Sequence, residues 1–128
     1  MPRKALGDMT ESMFYTLLAL LTGPRCGTEI AAFAEKLTEG RVLLGPGTLY
    51  TILSRFLEAG YIREIATEGR KRTYALTAEG RLAYENELRR LRRCLEDAEA
   101  ASAFLLTEGG DPDEGAGALP APAPLPAL

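Results

Sequence analysis

The chain has 128 residues, a formal net charge of −3, 46% hydrophobic and 26% charged residues, two cysteines and no histidine. That length suits one domain, and the composition is that of an ordinary globular chain, not a fibrous or wholly disordered one. Lack of histidine removes the commonest general base and metal ligand, Cys26 and Cys94 form no metal spacing, and no apolar run nears the roughly 20 residues of a membrane span. The expectations are therefore no catalytic residues, no metal, no cofactor, no membrane contact, cytoplasmic residence and two buried or partly buried thiols.

Charge is unevenly spread. Residues 107–128 hold Glu108, Asp111, Asp113 and Glu114 and no base. Residues 41–76 carry Arg41, Arg55, Arg63, Arg70, Lys71 and Arg72 against Glu58, Glu64 and Glu68. A partner meets the local field, so the acidic total is no argument against a polyanion.

Residues 1–9 lack periodicity and read as a flexible N-terminus. Thr10 can cap a first helix with Glu11 in its first turn. Met13, Phe14, Leu17, Leu18, Leu20 and Leu21 give that helix an apolar surface wider than one core needs, so one side suits the domain core and the other a partner subunit. Gly23-Pro24 ends it. A second helix starts with Gly27 or Thr28 at its cap and Glu29 in its first turn. Its inner face is Ile30, Phe33, Ala34 and Leu37, and Gly40 stops it.

The third helix has both ends marked. Pro46 suits the first turn, where a missing N–H costs nothing, and Gly60 suits the left-handed position past the end. Leu49, Ile52, Leu53, Phe56 and Leu57 recur at the helical period. The opposite face offers Thr48, Tyr50, Thr51, Ser54, Arg55 and Glu58. Such a face can serve as a solvated surface or donate to phosphates and base edges.

After Gly60 the period changes. Residues 61–66 and 71–76 read as strands around a turn at 67–70, with Arg70, Lys71 and Arg72 consecutive at its basic tip. Thr77 caps a last helix with Glu79 in its first turn. Gly80 reads as a mild weakness, costing about 1 kcal/mol against alanine. Tyr84, Leu88, Leu91, Leu95, Ala98, Ser102 and Leu105 then alternate spacings of four and three, a heptad seam over about three heptads. A narrow seam at the end of a small domain calls for a second helix, best supplied by a second copy. Residues 107–128 turn to Gly, Ala, Pro and acid, the composition of a disordered tail.

The expected fold is mainly α with a small β-hairpin, three helices, a basic hairpin and a long helix. That is the order of a winged helix-turn-helix, in which the third helix enters the major groove and the hairpin, the wing, lies against the backbone. The expected organisation is 1–9 flexible, 10–78 winged-helix domain, 79–106 dimerisation helix and 107–128 acidic tail.

Several segments resemble the PadR family. They are Glu11-Ser12-Met13-Phe14-Tyr15, Gly27-Thr28-Glu29-Ile30, Gly45-Pro46-Gly47-Thr48-Leu49-Tyr50, Leu57-Glu58-Ala59-Gly60-Tyr61-Ile62, Gly69-Arg70-Lys71-Arg72-Thr73-Tyr74 and Leu76-Thr77-Ala78-Glu79-Gly80. The likeness runs over about residues 9–106, and the single helix after the wing is similar to the branch with a short C-terminus. It implies a dimeric transcriptional regulator, usually a repressor. The DNA-facing set is then Thr28, Gly47, Thr48, Tyr50, Thr51, Ser54, Arg55, Arg70, Lys71 and Arg72. The dimer interface is Phe14, Leu17, Tyr84, Leu88, Leu91, Leu95, Ala98, Ser102 and Leu105. Thr28 stands where the family often has an aromatic residue. The chain has no tryptophan, and Leu91 occupies the position where some relatives sandwich flat drugs. A small hydrophobic effector would instead sit near Phe14, Leu88 and Leu91.

Double-stranded DNA and a second copy of the chain are thus the expected partners. Two other readings stand beside this one. A winged helix can serve protein contacts without DNA. A thiol-based regulator could use Cys26, close to a helix N-terminus where thiols gain reactivity, or Cys94.

Overall fold

The structure, a computed structural model, describes residues 8–107. The acidic tail and most of the expected N-terminal segment lie outside the described residues. The elements are α1 (Glu11–Leu21), β1 (Arg25–Cys26), α2 (Gly27–Leu37), α3 (Pro46–Ala59), β2 (Ile62–Glu68), β3 (Lys71–Leu76) and α4 (Ala78–Thr107). The fold is mainly helical with a small antiparallel sheet, as the sequence predicts. The sheet has a third strand that the sequence does not reveal: β1 pairs with β3, giving the order β1-β3-β2. Two residues, Arg25 opposite Tyr74 and Cys26 opposite Thr73, are too few to show any period.

The chain forms two compact units, one ending at Leu88 and one starting at Arg89. In the first, α1, α2 and α3 close around a core in which Leu17, Ile30 and Phe56 are fully buried. Thr10 caps α1 as expected, its hydroxyl accepting from the Met13 N–H at 3.1 Å. Leu49, Ile52, Leu53 and Phe56 are buried, but Leu57 is 40% exposed and Ala59 takes the inward place. Leu37, expected inside, is likewise on the surface.

The cap of α2 is Cys26, not Gly27 or Thr28. The Cys26 N–H donates to the Glu29 carboxylate at 2.8 Å. The buried thiol lies 3.2 Å from the Thr28 hydroxyl. Cys94 is exposed, against the expectation of two sheltered thiols.

Gly60 adopts the left-handed cap at φ 81°, and Thr77 then joins the end of α3 to the start of α4. Its hydroxyl donates to the Gly60 carbonyl at 2.6 Å and accepts from the Gly80 N–H at 3.1 Å. Gly80 is not a weak point of α4. A Cβ there would lie 2.1 Å from the Tyr61 carbonyl oxygen and 2.7 Å from Leu76 Cδ1. The junction therefore requires a residue without a side chain.

In the second unit every side chain from Arg89 to Ala103 is exposed in the single chain. Among the described residues, no helix is long and apolar enough to cross a membrane.

Candidate nucleic-acid interface

Helix α3 presents its polar face as its period requires. Thr48, Thr51, Ser54, Arg55 and Glu58 are exposed, and Tyr50 is 75% exposed. Pro46 occupies the first turn after the cap Gly45, leaving Gly47 and Thr48 exposed at the helix start. The Thr51 hydroxyl donates to the Gly47 carbonyl at 3.1 Å, which fixes its rotamer.

The hairpin is longer and tighter than expected. Pairing runs from Ile62 opposite Leu76 out to Glu68 opposite Lys71, with a bulge between Glu64 and Ala66. Only Gly69 and Arg70 lie between the strands. Of β2 only Ile62 is buried, so the hairpin projects with Arg70, Lys71 and Arg72 exposed at its tip. Arg72 lies 3.9 Å from Glu64, a loose pair in solvent. The second oxygen of Glu64 accepts from the Thr67 hydroxyl. Of the bases counted along 41–76, Arg41 is turned away from this surface. Its guanidinium donates to Glu11 at 2.7 Å and to the Tyr15 hydroxyl at 3.0 Å, and the Glu11 bond raises its pKa.

The start of α2, the start of α3 and the wing tip meet around an open groove of about 640 Å³. Four residues expected to face DNA stand on it: Thr28, Tyr50, Arg70 and Arg72. Lys71 lies close enough to Glu29 to help lower that carboxyl's pKa, after the larger effect of the Cys26 hydrogen bonds. Thr51, Ser54 and Arg55 are exposed on α3 and are not among the residues that line the groove. Sequence reasoning misses the groove floor, which includes Ala31, Leu44 and Tyr74. Leu44 is in coil and Tyr74 in a strand that reads as a wing, so no single period marks them. Burial, and then Glu64, push the Tyr74 hydroxyl pKa up.

The expected dimer residues divide. Leu17 is fully buried in its own chain and has no surface to give to a partner. Phe14 and Tyr84 are half-buried and stacked, with ring centroids 5.3 Å apart. Leu88 is half-buried. Leu91, Leu95, Ala98, Ser102 and Leu105 are exposed in the single chain.

Known proteins share this fold. A structure of a transcriptional regulator from Clostridium thermocellum superposes with a TM-score of 0.63 at 24% identity, over 70% of this chain and 87% of that one. RosR of H. salinarum superposes with a TM-score of 0.56 at 27% identity, over 75% and 96%. A PadR family transcription regulator from Clostridium difficile gives 0.60 at 21% identity, over 71% and 97%. In sequence, an uncharacterized 37.1 kDa protein in transposon Tn4556 of Streptomyces fradiae is 35% identical over 83 residues, or 65% of this chain. The chain spans only 24% of that protein's length. The profile of the PadR-like transcriptional regulators matches residues 16–86, from α1 through the wing into α4, and the chain belongs to that family.

Proposed function

We propose that this chain is a homodimeric, cytoplasmic transcriptional repressor that binds a pseudo-palindromic operator in double-stranded DNA. Helix α3 (46–59) enters the major groove, and the wing (67–76) follows the adjacent backbone. One observation carries this reading: Tyr50 of α3 and Arg70 and Arg72 of the wing meet around one groove. Base-facing and phosphate-facing chemistry thereby share a surface. Thr51, Ser54 and Arg55 read base edges beside Tyr50. Thr28, Gly47, Thr48, Arg70, Lys71 and Arg72 hold phosphates. Two copies pair along α4 through Tyr84, Leu88, Leu91, Leu95, Ala98, Ser102 and Leu105, with Phe14 beside them. The support is an apolar seam exposed to water in the single chain, because such stripes normally find a partner. Control by a small hydrophobic effector near Phe14, Leu88 and Leu91 belongs to the same reading.

Selection of bound DNA by the purified protein, followed by footprinting, tests this. Two half-sites should emerge with centres about 34–36 Å apart. Changing Arg70, Lys71 and Arg72 together to Ala should weaken binding to all sequences. It should also reduce the slope of log affinity against log salt by about 3 units. Thr51→Ala or Arg55→Ala should instead change sequence preference. Binding no stronger than to random DNA would sink the repressor. A wing variant with full function would favour a module for protein contacts.

A further inference from the structure

The groove between α2, α3 and the wing is larger and more apolar than phosphate binding requires. A DNA phosphate is held by hydrogen bonds to its oxygens and gains nothing from a hydrocarbon floor. Here Ala31, Leu44, Leu49 and Leu53 line the groove below Arg70 and Arg72. A volume of about 640 Å³ lies within the roughly 300–1,000 Å³ of small-molecule sites, which pair apolar walls with a few polar groups. Among the described residues, none that lines it is acidic. Glu29 accepts from the Cys26 N–H, and Glu64 accepts from the Thr67 hydroxyl and lies 3.9 Å from Arg72, a loose pair in solvent that leaves most of that guanidinium for a guest's acid group. The starts of α2 and α3, which carry partial positive charge, both open on this space. A neutral apolar guest would ignore the cations, and a small dianion would ignore the floor.

We propose that this groove binds an amphipathic organic anion, its acid group on Arg70 and Arg72 and its apolar body on Ala31, Leu44, Leu49 and Leu53, and that ligand and DNA exclude each other. The exclusion rests on the wing's proposed contact with phosphate; the ligand site does not. Because both partners claim the same two arginines, the apparent Kd for DNA rises in proportion to ligand concentration without a ceiling. An effector acting from a distant site saturates at its coupling factor.

The probe is 1-anilinonaphthalene-8-sulfonate, whose fluorescence rises on entering an apolar site, titrated into the full chain. Ala31→Phe fills the floor, and Arg70→Ala with Arg72→Ala removes the head-group partners. Each should weaken the probe at least about tenfold, the scale of one lost charged hydrogen bond. N-phenyl-1-naphthylamine, the same body without the sulfonate, should bind at least about tenfold more weakly for the same reason. Circular dichroism checks the fold, and Ala31→Leu replaces Ala31→Phe if the larger ring unfolds the chain. Equal binding of both probes overturns the anion claim. Probe binding unmoved by either substitution overturns the site. With operator DNA, the probe should be displaced and the DNA Kd should rise linearly. A plateau, or no change, overturns the exclusion. Failure to bind DNA without any probe overturns the repressor reading, and the probe titrations still decide the groove.

Discussion

Helix α3 and the part of α4 beyond Leu88 carry the same sequence signal, an apolar stripe beside a polar face, and meet opposite fates. The stripe of α3 is buried within its own chain, with Phe56 at 0% exposure. On α4 the stripe stays in water, with Leu91 at 39% and Leu95 at 58%. Periodicity states that a face wants cover and does not say which chain supplies it. The width of the stripe is the better guide. Five buried apolar residues on α3, from Leu49 to Ala59, fall within about three turns and fit a three-helix core. The narrow four-three alternation on α4 fits a single facing helix.

A pair of substitutions breaks this comparison if it is wrong. Phe56→Ala should destabilise the winged unit by about 3–5 kcal/mol, the cost of a large cavity in a core. The thermal midpoint should fall by more than about 10 °C. Leu91→Asp should leave that unit folded, because an exposed substitution changes single-chain stability by about 0.5 kcal/mol or less. It should nevertheless weaken self-association by about 100-fold or more, since an unpaired charge would be buried in the seam. Sedimentation then shows monomers. If the variant stays dimeric, the seam lies elsewhere.

Gly80 sharpens the comparison where α3 hands over to α4. From sequence it is a glycine in a helix, so alanine should stabilise by about 1 kcal/mol. The structure reverses the sign, because the new Cβ would meet the Tyr61 carbonyl at 2.1 Å. Backbone cannot yield as a side-chain tip does, so Gly80→Ala should cost about 2–3 kcal/mol, seen as an earlier thermal transition. A variant as stable as the parent would mean that α4 shifts outward freely. Local signals make the caps at Thr10, Gly60 and Thr77 and the first-turn Pro46 legible, because each rests on residues within one turn. The need for glycine at 80 is not local, because it comes from the Tyr61 carbonyl. The strand β1 is illegible for two reasons: two residues show no period, and the partners Thr73 and Tyr74 lie far along the chain.

The candidate site was legible in part. The polar face of α3 and the run Arg70-Lys71-Arg72 follow from period and composition. The groove does not, because three elements far apart in sequence build it. The cap at Cys26 is an intermediate case. Its partner Glu29 stands three residues on, the spacing at which a side chain reaches back to the cap N–H, but cysteine is an uncommon cap and gives no signal of its own.

This part-buried hydrogen bond gives the smallest expected effect. The Cys26 N–H holds the Glu29 pKa below its ordinary 4.5. A carboxyl whose folded pKa is depressed contributes stability that is complete above its unfolded pKa. The contribution fades as pH falls through the folded value. Glu29→Gln should therefore lower the midpoint slightly at neutral pH, with the gap from the parent closing as pH drops below about 4.5. Thermal melts of both proteins between neutral and acid pH measure it. A constant gap at every pH would mean that Glu29 acts through packing and not through its charge. The contrast with Leu91 would then sharpen: around the start of α2 the chain would be held by shape alone, and only the proposed pairing of two copies would depend on what a single chain leaves exposed.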